Sequence, residues 1–174
     1  MTPPTRTITR IPKETGTQGF EADFQWKFKK GYIDISYGFY SAANKNRLDE
    51  YQVPEKSQFL LGFPNQKISL NTVFRFYKNY SINPTIAWSG VKYGVVALDD
   101  NDEAIMGKYD QTLLLNIALK ADDFITKGLT FSLGAFNLLD NNEYYLQPYN
   151  GGHAALPGAS REITFSLSYK FFYK

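Results

Sequence analysis

At 174 residues the chain has room for about one domain, and a composition 43% hydrophobic and 21% charged excludes a disordered tail. No uncharged apolar run approaches the roughly 18 residues that a transmembrane helix needs. A net charge of +2, no cysteine and one histidine leave no case for a nucleic-acid partner, a disulfide framework, an Fe–S cluster, a thiolate zinc site or a His-rich metal site.

The N-terminus opens Met1, Thr2, Pro3, Pro4, without the basic and apolar regions of a secretory signal. On that ground the chain is cytoplasmic, processed, or part of something longer with restarted numbering. Residues 1–18 are expected to hold no more than a weakly patterned first strand, near 5–11, and a connection. From residue 19 onward a period of two takes over. Phe20, Ala22, Phe24, Trp26 and Phe28 alternate with Glu21, Asp23, Gln25 and Lys27. After the tight turn Lys29-Lys30-Gly31, Ile33, Ile35, Tyr37 and Phe39 alternate with Asp34, Ser36 and Gly38. A long polar stretch, 41–66, leads to Ile68, Leu70, Phe74 and Phe76, set against Ser69, Asn71 and Arg75. Lys78-Asn79 is a second tight turn, into Tyr80, Ile82, Ile86 and Trp88 against Ser81, Asn83, Thr85 and Ser89.

The polar stretch 93–108 precedes a strand over 109–120, where Leu113, Leu115, Ile117 and Leu119 oppose Asp110, Thr112, Asn116 and Lys120. A modest connection, 121–128, gives way to Leu129, Phe131, Leu133 and Ala135 against Thr130, Ser132 and Gly134. After the stretch 140–160, Ile163, Phe165, Leu167, Tyr169, Phe171 and Tyr173 alternate with Glu162, Thr164, Ser166, Ser168 and Lys170. Seven strands are expected, with an eighth near 5–11, and no segment carries a helical period.

Short connections at one end and long ones at the other are the plan of an outer-membrane β-barrel. Strands of about 10–12 residues suit a tilted crossing better than the usual five or six of a globular sheet. Of the 29 aromatic residues (13 Tyr, 14 Phe, 2 Trp), Trp26, Phe28, Tyr80, Tyr169, Phe171 and Tyr173 fall near strand ends, as interfacial girdles require. A soluble barrel such as a lipocalin would turn the apolar face inward; a membrane barrel turns it to lipid. The pattern favours the second, and with it an all-β, antiparallel transmembrane barrel segment over 19–174.

Asn137-Leu138-Leu139-Asp140-Asn141-Asn142-Glu143-Tyr144 resembles the Asn-Leu-Phe-Asp-x-x-Tyr signature near the end of the penultimate strand in TonB-dependent outer-membrane receptors. Pro157-Gly158-Ala159-Ser160-Arg161-Glu162, running into Tyr169-Lys170-Phe171-Phe172, resembles that family's closing strand. Gly19-Phe20-Glu21-Ala22 and Pro64-Asn65-Gln66-Lys67 resemble its entries to earlier strands. In this order the motifs cover most of 15–174. The chain departs from the family in ending on Tyr173-Lys174 rather than on an aromatic.

The resemblance implies the C-terminal barrel portion of a receptor that imports a scarce ligand such as a metal chelate, haem, cobalamin or an oligosaccharide. It implies as partners outer-membrane lipid, the remaining barrel and plug, TonB acting through that plug, and a small-molecule ligand. Such transporters close 22 strands around a plugged lumen, so seven or eight strands imply a fragment or one piece of a split receptor. The inward residues are often small (Ser36, Gly38, Ser69, Ser81, Ala87, Ser89, Ala118, Ser132, Gly134, Ser166, Ser168), which suits a wide lumen better than a self-filled one. A self-contained eight-stranded barrel with a structural or adhesion role is the alternative.

Covalent chemistry finds no constellation here, so no enzyme, catalytic residue, metal site or cofactor is expected. His153, in Asn150-Gly151-Gly152-His153, is either an exposed loop histidine or a ligand contact. Tyr144, Tyr145, Gln147 and Tyr149 form an aromatic and polar group that stacks on a ligand ring or packs within its own loop. Asp99-Asp100-Asn101-Asp102-Glu103 lacks the glycine and distal glutamate of a calcium loop and reads as a solvated acidic turn.

Overall fold

A computed structural model describes residues 16–43, 51–146 and 154–171. The expected strand near 5–11 lies outside them. Among the described residues eleven strands form in chain order: β1 (Gln18–Phe28), β2 (Gly31–Ser41), β3 (Gln66–Tyr77), β4 (Tyr80–Ser89), β5 (Lys92–Leu98), β6 (Ala104–Tyr109), β7 (Thr112–Ala121), β8 (Leu129–Phe136), β9 (Tyr144–Tyr145), β10 (Leu156–Pro157) and β11 (Glu162–Tyr169). Seven of them make one antiparallel sheet in the order β1-β2-β3-β4-β7-β8-β11, each strand beside its nearest predecessor in that list. These are the seven strands that the period of two picks out.

The register explains why that period is so regular. Trp26, Ile33, Thr72, Pro84, Ile117, Ala135 and Ile163 fall in one row across the sheet, and Phe28, Gly31, Phe74, Ile82, Leu119, Leu133 and Phe165 in another. The rows between them belong to the opposite face: Gln25, Asp34, Asn71, Thr85 and Asn116 stand together, as do Asp23, Ser36, Ser69, Ala87 and Leu114. A slip of one residue in any pairing would interleave the two sets, so the apolar pattern pins the register. Gly31 opens β2 where the chain leaves the two-residue turn; a Cβ there would sit 1.7 Å from the Val73 carbonyl oxygen.

The apolar rows are not a core. Phe24 is 57% exposed and Phe165 77%, and among the described residues no large side chain is fully buried. The few buried apolar residues are Ala42, Val53, Leu61, Val95 and Ala121, four of them in or beside the long connections rather than between strands. The polar face is the concave one, since a cavity opens against Glu21, Asp23, Ser36, Lys67 and Ser69. That is the reverse of a soluble barrel, which would enclose its apolar face. The sheet ends on β1 at one edge and β11 at the other, unclosed; the protein has the architecture of a partial barrel.

Two details depart from the sequence reading. The strand expected over 109–120 is divided at Asp110-Gln111: β6 ends at Tyr109 and pairs with β5 as a separate hairpin, while β7 starts at Thr112. The stretch 93–108, expected as a loop, is therefore mostly β-structure. At the C-terminus the last strand stops at Tyr169, leaving Phe171 beyond it.

Candidate functional site

At the loop end three connections converge on one another. The 51–65 segment reaches the β5–β6 hairpin, with the Gly62 N–H donating to the Tyr93 carbonyl at 2.8 Å and the Phe59 and Tyr93 rings meeting edge to face at 4.9 Å. The hairpin in turn holds the segment after β8. Lys92 is almost wholly buried, and its Nζ donates to the Tyr144 carbonyl at 3.0 Å, with the Glu143 carboxylate 3.9 Å away. Burial pushes the Lys92 ammonium below the ordinary lysine range; Glu143 opposes that shift and Lys67 adds to it. The Tyr109 hydroxyl donates to the Val95 carbonyl at 2.8 Å, and its ring lies 5.3 Å from that of Tyr144.

The segment Asn137–Tyr144, singled out by its motif, proves to be a hydrogen-bond hub. Asn137 ends β8 in a left-handed conformation, φ 45°, which asparagine tolerates better than most residues. Its Nδ2 donates to the Asn141 carbonyl at 2.9 Å and the Ala159 carbonyl at 3.1 Å, while its Oδ1 accepts the Asn141 N–H at 3.0 Å. Its own N–H donates to Asn116 Oδ1 at 2.9 Å, and Asn141 Nδ2 donates to the Leu113 carbonyl at 2.6 Å. Asp140 accepts the Arg161 N–H at 2.8 Å at the entry to β11. Short amide and carboxylate side chains at these spacings thus replace the strand ladder where β8 turns back.

Below this cap lies a cavity of about 510 Å³ against the concave wall. Its lining includes the charged residues Glu21, Asp23, Glu143 and Lys67 and the hydroxyl residues Ser36, Ser69, Ser89 and Thr112, together with Tyr40, Ala87 and Leu114. Glu21, Gly38, Lys67, Ser89 and Thr112 are one register row across five strands, so an alternation in sequence becomes a belt of charge and hydroxyl in space. The Tyr40 hydroxyl donates to the Glu21 carboxylate. Ser89, one of the lining residues, has its Oγ buried without a hydrogen-bond partner among the described residues.

Of the residues expected to meet a ligand, Tyr144 and Tyr145 are placed and Gln147, Tyr149 and His153 lie outside the described residues. As neighbours in β9 the two tyrosines point to opposite sides. Tyr144 spends its ring on Tyr109, whereas Tyr145 is 61% exposed. The acidic run at 99–103 is a capped turn: Asp99 Oδ1 accepts the N–H groups of Asn101 and Glu103, each at 2.8 Å, which hold its carboxyl below the usual carboxylate range. Among the described residues no group of three His, Cys, Asp or Glu side chains is placed to hold a metal. The concave row of hydroxyls was visible only as small inward residues in the sequence, and Lys92 gave no signal at all.

An open antiparallel meander with an apolar convex face, a charged concave face and a loop cap defines a class: the chain has the fold of the barrel portion of a TonB-dependent outer-membrane receptor. The solved structures it is similar to include those of the ferripyoverdine receptor FpvA. It matches the receptor FpvAI in complex with a pyocin at a TM-score of 0.70 and 17% identity. It matches the ferripyoverdine receptor of the outer membrane of Pseudomonas aeruginosa, bound to ferripyoverdine, at 0.67 and 17% identity, and the pyoverdine-bound receptor of strain PAO1 at 0.68 and 17%. Each match covers 89% of this chain but only 19%, 19% and 21% of the receptor chains respectively. The chain therefore spans about a fifth of the proteins it resembles. No family model and no curated protein sequence matches it.

Proposed function

We propose that the chain supplies the C-terminal barrel strands of a TonB-dependent outer-membrane importer, with its turn end in the periplasm and its capped loops outside the cell. The observation that carries this reading is the inversion of the sheet: the convex face is apolar and exposed, the concave face charged. Apolar rows of that extent need lipid against them, and the likeness in fold to a receptor from an outer membrane supports the same place for this one. The role is transport rather than catalysis, in keeping with the receptors the fold resembles.

On this reading the concave wall packs against a plug, through which TonB transmits energy, and a scarce small molecule arrives at the loop end. Tyr145, with Gln147, Tyr149 and His153, supplies the first contacts to that ligand, and Glu21, Asp23, Lys67 and Ser89 supply polar groups deeper in. The unpaired outer edges of β1 and β11 are where the rest of the barrel joins, because an open edge in hydrocarbon leaves backbone groups unsatisfied at several kcal/mol each.

The test is to refold the chain by itself and together with the remainder of its receptor in detergent. Aggregation alone and a heat-modifiable, protease-resistant species together is the expected result. A heat-modifiable monomer of the chain's own mass would overturn the fragment reading in favour of a small self-contained barrel.

A further inference from the structure

The two ends of the sheet carry opposite charge. In the described parts of the long connections, 51–65, 90–111 and 137–161, eight carboxylates (Glu55, Asp99, Asp100, Asp102, Glu103, Asp110, Asp140, Glu143) face four cations (Lys56, Lys92, Lys108, Arg161). At the turn end the balance reverses: Lys29, Lys30, Lys78, Lys127 and Lys170 stand with Asp122 and Asp123. Both of those acids are engaged. Asp122 lies 2.9 Å from Lys120 Nζ and accepts the Thr130 hydroxyl at 3.0 Å, and Asp123 accepts the Gly128 N–H at 2.7 Å. Lys29, Lys30 and Lys78 are exposed, and among the described residues none of them enters an ion pair.

The same rim is aromatic on its convex side. Trp26 meets Phe28 at 5.2 Å between ring centres, Phe28 meets Phe74 at 6.4 Å, and Phe124 meets Phe131 at 5.6 Å. A bulge between Arg75 and Tyr77 breaks the alternation, so that Phe76 and Tyr77 both reach Tyr80, each at 6.2 Å. Lys78 Nζ lies 5.8 Å from the centre of the Tyr77 ring, which puts this cation over the outward girdle rather than over the lumen. Backbone bonds tie adjacent turns into one edge: Arg75 N–H to the Lys30 carbonyl at 2.7 Å, Asp122 to Asn79 at 2.9 Å, Lys170 to Gly128 at 2.9 Å.

We propose that this rim is a contact surface for the phosphate headgroups of anionic phospholipids. The proposal rests on the membrane-barrel reading and goes beyond it in naming the lipid. Amphipathic rings sit at headgroup depth, and lysines held beside them at that depth meet lipid phosphate, with attraction that fades within a Debye length. A plug or a solute inside the barrel would meet the concave face instead, which these rings do not line.

The experiment uses the detergent-purified full-length protein and a Lys29→Gln, Lys30→Gln, Lys78→Gln variant, titrated with phosphatidylglycerol or phosphatidylcholine and read by counting retained lipid in native mass spectrometry. Phosphatidylglycerol should be retained in preference, and the variant should weaken it about fivefold per lysine, about a hundredfold in all, at low salt. Phosphatidylcholine retention should not change. Equal retention of phosphatidylglycerol by both proteins, or no preference in the parent, overturns the proposal; displacement by glycerol phosphate would show a free-anion site instead of a lipid contact. Heat-modifiability in phosphatidylcholine is measured on both proteins alongside: its absence would sink the barrel reading itself, its presence without lipid preference only the headgroup proposal.

Discussion

An arginine placed on the convex face should cost most at Ile117. The outward residues of β7 are Leu113, Leu115, Ile117, Leu119 and Ala121, taken in order along the strand. The path from Leu113 to Ala121 rises about 3.4 Å per residue at a tilt near 40°, covering roughly 21 Å of a membrane band that is about 25 Å tall. On the adjoining strand β4, Trp88 pairs with Leu113 and Tyr80 with Ala121, so aromatic residues bracket the band beside both ends of β7 and Ile117 falls at its centre. Ile117→Arg should therefore destabilise by about 2–4 kcal/mol, and Leu113→Arg by less than about 1. Ala118→Arg points to the concave face, between Asn83 and Gly134, and should also cost less than about 1 kcal/mol, because no charge enters hydrocarbon. The assay is urea-dependent unfolding of the full-length protein in vesicles, followed by tryptophan fluorescence. Equal costs at Ile117 and Ala118 would refute the assignment of faces.

Replacing Asn137 by alanine removes three side-chain hydrogen bonds at a left-handed position and should loosen 137–161 by about 2–4 kcal/mol; faster proteolysis of that segment, with the sheet intact, is the readout. Ile125 is 88% exposed at φ 67° in the turn after β7, so Ile125→Gly should raise the urea midpoint, equivalent to about 1 kcal/mol; a fall would mean that the side chain has a partner. Since Lys92 titrates below its unfolded range, the cap should gain stability as pH rises through the window between its lowered pKa and the ordinary lysine value, lose it again as pH falls back through that window, and show no further dependence on this group below it. Hydrogen exchange at 92–95 and 143–146 should follow that sign, and Lys92→Met should abolish it. Protease added to intact cells should cut within 51–65, 90–111 or 137–161 and spare 29–31 and 78–79; the reverse pattern would invert the orientation.

The seven sheet strands were legible because one face of the sheet is apolar and the other polar, so each of these strands alternates, apart from the bulge between Arg75 and Tyr77. The β5–β6 hairpin was not legible, for the opposite reason. Lys92, Gly94 and Val95 are buried together on a strand that packs on other loops, so its apolar residues do not alternate. The signal that marks it is the turn chemistry of Asp99 to Asp102 between two short apolar runs. The Asn137 motif was recognised by likeness, whereas its work as a hub depends on contacts to residues 21 and 22 positions away, which no local pattern reports. Lys92 is hidden for the same reason: its partner is 52 residues downstream.

The sheet has seven strands, and seven is odd. In an antiparallel meander the first and last strands then point the same way, and here β1 and β11 both run from the loop end to the turn end. Joined edge to edge they would make a parallel seam, against the even-stranded, wholly antiparallel rule of single-chain bacterial outer-membrane barrels. Closure by that rule takes an odd number of strands between them, the first of which must leave the turn end beside β1 running toward the loops. One such strand makes a barrel of eight and fifteen make 22, the number at which a barrel has room for a plug; parity admits both and forbids every even insertion.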